Sequence, residues 1–119
     1  MSEPHRVVAI VPTGDIDGTQ AFYELLGFAP VGIHPGYRIL SDGMGAQLHL
    51  REEPGWPPGA GVNPFGLYFY VADVDAVAAR VKGHIIPGSG PRETAWGTYE
   101  FAVSDPTGTL VRIGRATRR

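Results

Sequence analysis

Val7-Val8-Ala9-Ile10-Val11 runs into Asp15-Ile16-Asp17 and then into Ala21, Phe22, Leu25 and Leu26, an apolar pattern of helical spacing that stops at Gly27. Leu67-Tyr68-Phe69-Tyr70-Val71 runs in the same way into Asp73-Val74-Asp75 and a shorter pattern, Val77, Ala78 and Val81, which stops at Gly83. The chain repeats itself, and a repeat is read before any single motif. In each copy the aspartates stand where a side-chain oxygen accepts from the free N–H groups of a first helical turn. The likeness continues beyond the helices. Tyr37-Arg38-Ile39-Leu40, the turn Ser41-Asp42-Gly43-Met44-Gly45 and Gln47-Leu48-His49-Leu50 match Tyr99-Glu100-Phe101-Ala102-Val103, Ser104-Asp105-Pro106-Thr107-Gly108 and Leu110-Val111-Arg112-Ile113. Both read as strand, Ser-Asp-x-x-Gly turn, strand.

The sequence therefore predicts an α+β fold: two tandem β-α-β-β-β modules forming an open, cup-shaped mixed sheet with the helices on its outer face. Residues 1–119 make one domain, with module one over about 5–53, a linker over about 54–64 and module two over about 65–114. The linker is too rich in Pro and Gly for regular structure and reads either as a plain connection or as a loop over a pocket mouth. Side chains alternate along a strand, so Leu67, Phe69 and Val71 are expected to face a helix, leaving Gly66, Tyr68 and Tyr70 for the cup. The same parity puts Val8, Ile10, His49 and Arg112 there.

Composition narrows the chemistry. With 119 residues and 43% hydrophobic content there is room for one modest core. The absence of cysteine removes disulfides, zinc-thiolate sites and a Cys nucleophile. A net charge of −2 without a basic stripe argues against nucleic acid as a partner. Arg112, Arg115, Arg118 and Arg119 form one basic cluster, read as a solvated tail. No run approaches the roughly 18 apolar residues of a membrane span, and the first residues lack a signal peptide's apolar region, so a cytoplasmic protein is expected. The Ser-Asp pairs are turn residues, and His5, His34 and His84 lie at the terminus or among Pro and Gly. No nucleophile with an evident base emerges, and no glycine-rich phosphate loop follows a strand.

Taken together, Asp15-Ile16-Asp17, Ala21-Phe22-Tyr23-Glu24-Leu25-Leu26-Gly27-Phe28, Val71-Ala72-Asp73-Val74-Asp75 and Asp105-Pro106-Thr107-Gly108 resemble the vicinal oxygen chelate superfamily of glyoxalases, bleomycin resistance proteins and dioxygenases. The resemblance covers nearly the whole chain. Metal-dependent members place His, Gln or Glu at four cup-facing positions, which here are Val8, His49, Gly66 and Arg112. Only His49 can coordinate a metal, and a guanidinium repels one. One imidazole falls short of the three or four ligands that Zn²⁺ or Fe²⁺ requires, so no metal or other cofactor is expected. Ala95-Trp96-Gly97-Thr98-Tyr99-Glu100-Phe101 before Asp105-Pro106-Thr107-Gly108 is similar to the bleomycin resistance type. Tyr99 stands where members often carry Arg, Ala95 replaces Pro, and Thr109 replaces Asn. That resemblance implies a non-catalytic homodimer that sequesters an antibiotic, stacking its flat heterocycles on aromatic side chains in grooves across the subunit interface. The alternative is a glyoxalase- or dioxygenase-like enzyme on the same scaffold, with His49 as base or partial metal ligand.

Seven residues are the candidates for contact with a planar aromatic or heterocyclic ligand. Trp96, between a Pro/Gly-rich loop and a strand, either stacks on a ligand or packs under that loop. Tyr37 is the other plate of an aromatic clamp or simple edge packing. Tyr68 and Tyr70 either orient a ligand through their hydroxyls or fill an interface. Trp56 closes the mouth or packs on a neighbouring surface. His49 and Arg112 occupy equivalent places in the two modules; Glu52, Glu53 and Glu100 are available to pair with Arg112, which unpaired would favour anionic or carbonyl-rich ligands.

Overall fold

In the computed structural model, which describes residues 5–57 and 63–117, each module has the expected β-α-β-β-β order. Module one comprises β1 (Ala9–Thr13), α1 (Ile16–Leu25), β2 (Ala29–His34), β3 (Tyr37–Ser41) and β4 (Gln47–Glu52). Module two comprises β5 (Gly66–Tyr70), α2 (Val74–Arg80), the short β6 (Arg92–Glu93), β7 (Thr98–Ser104) and β8 (Leu110–Ala116). Among the described residues the strands form two four-stranded mixed sheets, ordered β1-β4-β3-β2 and β5-β8-β7-β6. In each, the first strand lies parallel to the last and the remaining pairs are antiparallel.

The repeated aspartates do repeated work. Asp15 caps α1 by accepting from the Gly18 N–H, and Asp73 caps α2 by accepting from the Ala76 N–H, both at 3.0 Å. Asp42 accepts from the N–H groups of Met44 and Ala46 at 2.8 and 2.9 Å. Asp105 does the same for Thr107 and Thr109 at 2.7 and 2.9 Å, so the two hairpin turns are built alike. Each turn also has a left-handed glycine, Gly45 at φ +108° and Gly108 at φ +81°.

Each helix buries one stripe: Thr19, Phe22, Tyr23 and Leu26 in module one, Val74, Val77, Ala78 and Val81 in module two. Both show the spacing i, i+3, i+4, i+7 of a helix on a sheet. In α1 the stripe differs from the expected one, because Ala21 and Leu25 are exposed and Tyr23 is buried. Tyr23 tolerates burial because its hydroxyl donates to the Asp105 carboxylate at 2.6 Å. Gly27, at φ +101°, follows α1 as a helix stop should. Gly83 does not play that part: α2 ends at Arg80, Val81 tucks into the core, and Gly83 lies within a single 3-10 turn over Lys82–His84. The basic cluster is also not simply a tail. Arg112 and Arg115 belong to β8, Arg115 sits over the Tyr99 ring at 5.2 Å, and Arg118 and Arg119 lie outside the described residues.

Leu40, Leu48 and Leu50 of one sheet and Phe101, Val103, Val111 and Ile113 of the other join the two helical stripes in one core. Phe28 meets Phe69 across the modules with ring centroids 5.1 Å apart. Among the described residues no helix is long and apolar enough to cross a membrane. Burial, and then the Asp105 carboxylate, push the Tyr23 phenol well above its ordinary pKa, so it remains a donor across the neutral range. This hydrogen bond joins residues 82 apart in sequence. Tyr23→Phe, which keeps the ring and removes only the donor, is expected to lower stability by about 1–3 kcal/mol in urea denaturation; an unchanged midpoint at unchanged slope would contradict this linkage.

Candidate functional site

Packing of Leu67 and Phe69 against the core turns Tyr68 and Tyr70 to the other face of their sheet. Strand register places Arg112 beside Tyr68, Ala102 opposite Arg112, and Gly114 opposite Glu100. Side chains opposite one another share a face, so Glu100 belongs to the face of the tyrosines. Glu100 is only 4% exposed, yet it carries a carboxylate. Its Oε1 accepts from the Thr98 hydroxyl at 2.6 Å, the Tyr68 hydroxyl at 2.9 Å and the Trp96 indole N–H at 3.4 Å. Its Oε2 accepts from the Arg112 guanidinium at 3.0 Å. Burial alone would push this carboxyl up, but the bonds from Thr98, Tyr68, Arg112 and Trp96 outweigh it and hold the group below its ordinary pKa.

Four of the seven candidates therefore form one cluster on module two. Trp96 stands in the turn between β6 and β7 with its ring 67% exposed, so it does not pack beneath the neighbouring loop. Tyr70 is 68% exposed and lies against Tyr68, with centroids 4.5 Å apart and planes 39° from parallel. The Tyr68–Tyr70 pair and Trp96, joined through Glu100, make up an aromatic wall, with the half-exposed Arg112 beside Tyr68. In sequence Glu100 is only one of three acids available to pair with Arg112. A glutamate inside an apolar strand, at a position sharing a face with tyrosines, is the signal that marks it.

Tyr37 and His49 pair separately on module one, the Tyr37 hydroxyl lying 2.6 Å from His49 Nδ1. Counted back from the matched serines, Tyr37 is four residues before Ser41 and Glu100 is four before Ser104. The pairs Tyr37–His49 and Glu100–Arg112 are thus equivalent polar contacts on equivalent strands. Among the described residues no hydrogen bond or ring contact joins the two groups.

Trp56 is half-buried away from both, its carbonyl accepting from the Gly14 N–H at 2.9 Å. It lines a mainly apolar cleft of about 620 Å³ at the seam of the modules, with Ile10, Pro12, Arg51, Phe65 and Gly66. Arg51 is paired with Glu53 there. This is the larger concavity, but the polar network lies in module two. Pro58, Gly59 and Gly61 of the linker lie outside the described residues.

The four positions that hold metal in some members of the resembling superfamily do not fit a divalent ion here. Val8 and Gly66 have no donor, Arg112 is a cation bonded to Glu100, and His49 is a single imidazole. Gly114 is a different kind of requirement. A Cβ there would fall 2.7 Å from Glu100 Cβ and 2.9 Å from the Tyr99 carbonyl, and would also strike the Tyr68 hydroxyl. Gly114→Ala is expected to cost about 1–3 kcal/mol and to lower the thermal midpoint; wild-type stability in this variant would contradict the packing described around Glu100.

Comparison with known proteins agrees with the arrangement of the fold. The family profile for the Glyoxalase/Bleomycin resistance protein/Dioxygenase superfamily matches residues 5–113. A bleomycin resistance protein of Klebsiella pneumoniae is 33% identical over 111 residues, covering 87% of this chain and 86% of that protein. The crystal structure of a bleomycin-binding protein complexed with bleomycin gives a TM-score of 0.77 at 30% identity, over 94% of this chain and 98% of that one. A bleomycin resistance determinant encoded on the transposon Tn5 gives 0.79 at 30% identity, over 97% and 100%. With its paired modules and this match along nearly its full length, the chain belongs to the glyoxalase, bleomycin resistance protein and dioxygenase superfamily.

Proposed function

We propose that this protein binds a bleomycin-like antibiotic and holds it unchanged, giving resistance by sequestration. The observation that carries the reading is the aromatic wall of Trp96, Tyr68 and Tyr70, in which Trp96 and Tyr70 are exposed, Tyr68 is half-buried, and a buried carboxylate backs Trp96 and Tyr68. Flat π surfaces held in place bind planar heterocycles without having to order themselves first. The likeness to a protein solved with bleomycin bound gives the ligand class. Arg112 does not turn the wall toward anions, because its charge is met by Glu100. Paired in this way, Arg112 presents no unmet positive charge to a ligand on the wall.

The protein acts as a cytoplasmic homodimer in this reading. Ile10, Phe65, Tyr70 and Trp96 are all more than half exposed, more apolar surface than one small chain gains by leaving to water. A second copy of the chain covers part of it in this reading. The enzyme alternative draws no support from the side chains, since His49 has neither further metal ligands nor a carboxylate partner among the described residues.

The test is a titration with Cu²⁺-bleomycin followed by tryptophan emission, using Trp56→Phe so that Trp96 is the only reporter. Saturable quenching at micromolar drug is expected, and its absence would sink the antibiotic assignment. Trp96→Ala, followed calorimetrically, is expected to weaken binding by about 1–3 kcal/mol, roughly 5- to 150-fold in Kd. Equal affinity would reject Trp96 as a stacking anchor.

A further inference from the structure

Glu100 does not meet a ligand itself, being buried with both oxygens engaged. What it touches is informative. One oxygen holds the indole N–H of Trp96 and the hydroxyl of Tyr68, two of the three rings of the wall, while the other holds the guanidinium beside them. Tyr70 is positioned at one remove, through its contact with Tyr68. Trp96 stands in the short connection between β6 and β7 and is largely exposed, so little else fixes its ring. We infer that Glu100 is the positioning residue of the binding wall: its carboxylate sets the orientation of Trp96, Tyr68 and Arg112 together, and ligand affinity depends on its negative charge although it makes no ligand contact. This rests on the reading that the wall binds a planar ligand.

The charge has a definite environment. Facing the carboxylate are Tyr68 from β5, Arg112 from β8, Trp96 and Thr98 from its own hairpin, and Arg92 of β6, opposite Glu100 in register. Arg92 gives its guanidinium to the Gly88 carbonyl at 2.8 Å. Burial, and then the bond to Glu100, push the Tyr68 phenol up, so it stays a donor. The Glu100 carboxyl is held below its ordinary value in the folded chain. A lowered folded-state pKa means that the organisation is complete above the ordinary glutamate range and is lost as the pH falls through the lowered value. Protonation removes the charge on which four donors converge.

The experiment compares Glu100→Gln with the parent, both carrying Trp56→Phe. Two quantities are read: the emission of Trp96 as a function of pH, with no ligand present, and the affinity for Cu²⁺-bleomycin at neutral pH. In the parent, Trp96 emission is expected to titrate with a midpoint below the ordinary glutamate value, and in Glu100→Gln that step disappears. Bleomycin affinity is expected to fall about tenfold or more in Glu100→Gln. Tyr68→Phe, which leaves the carboxylate and removes one donor, falls less and keeps the emission step. If Glu100→Gln fails to fold, Thr98→Val and Tyr68→Phe together take its place, with a shifted emission midpoint as the expected result. An emission step that persists in Glu100→Gln, or unchanged bleomycin affinity with a binding-competent parent, overturns the positioning role. A parent that does not bind bleomycin overturns the antibiotic reading instead, and the ligand-free emission step still decides whether Glu100 holds Trp96.

Discussion

A carboxylate taken out of water must be met by donors, because burying an unpaired charge costs several kcal/mol. At Glu100 that requirement shapes the neighbourhood. It draws Thr98, Tyr68, Trp96 and Arg112 to a single point, and it demands that the residue opposite, Gly114, have no side chain. The outward display of aromatic rings thus follows from an inward electrostatic constraint. Module one fills the same two positions with Tyr37 and His49, a pair without a carboxylate, which needs no such gathering of donors. From one repeated backbone, the two halves have become a face built on a carboxylate and a face built on a tyrosine–histidine pair.

The repeat also explains how much of the fold was legible. Caps and turns rest on local hydrogen bonds, so Asp15, Asp73, Asp42 and Asp105 could be read from spacing alone. Sheet faces were legible for the same reason: Leu67 and Phe69 alternate with Tyr68 and Tyr70, and the core selects the apolar set. The buried stripe of α1 was less so. Leu25 looks more apolar than Tyr23, but a distant acceptor, Asp105, makes the tyrosine the residue to bury. The end of α2 was missed because Val81, not Gly83, answers to the core.

Of the site, the residue types were visible and their grouping was not. Trp96, Tyr68, Tyr70 and Arg112 come together through Glu100, a partner whose role depends on strands meeting far apart in sequence. Tyr37 and His49 form a second group, and Trp56 belongs to the seam cleft. Pairing with Glu100 also changes what Arg112 means. A free guanidinium would select anions, whereas one paired with Glu100 leaves no unmet positive charge beside the rings.

Capture and turnover place different demands on the ligand, and the rings gathered about Glu100 offer a preformed surface for capture. The most direct measurement of that distinction is the fate of the drug. Bleomycin incubated with an equimolar amount of the protein, then released by denaturation, is expected to return with unchanged mass and in full amount, after a protein-to-drug ratio near one has withdrawn it from free solution. Drug recovered with altered mass, in amounts that grow with time beyond one per protein chain, would show turnover and contradict sequestration.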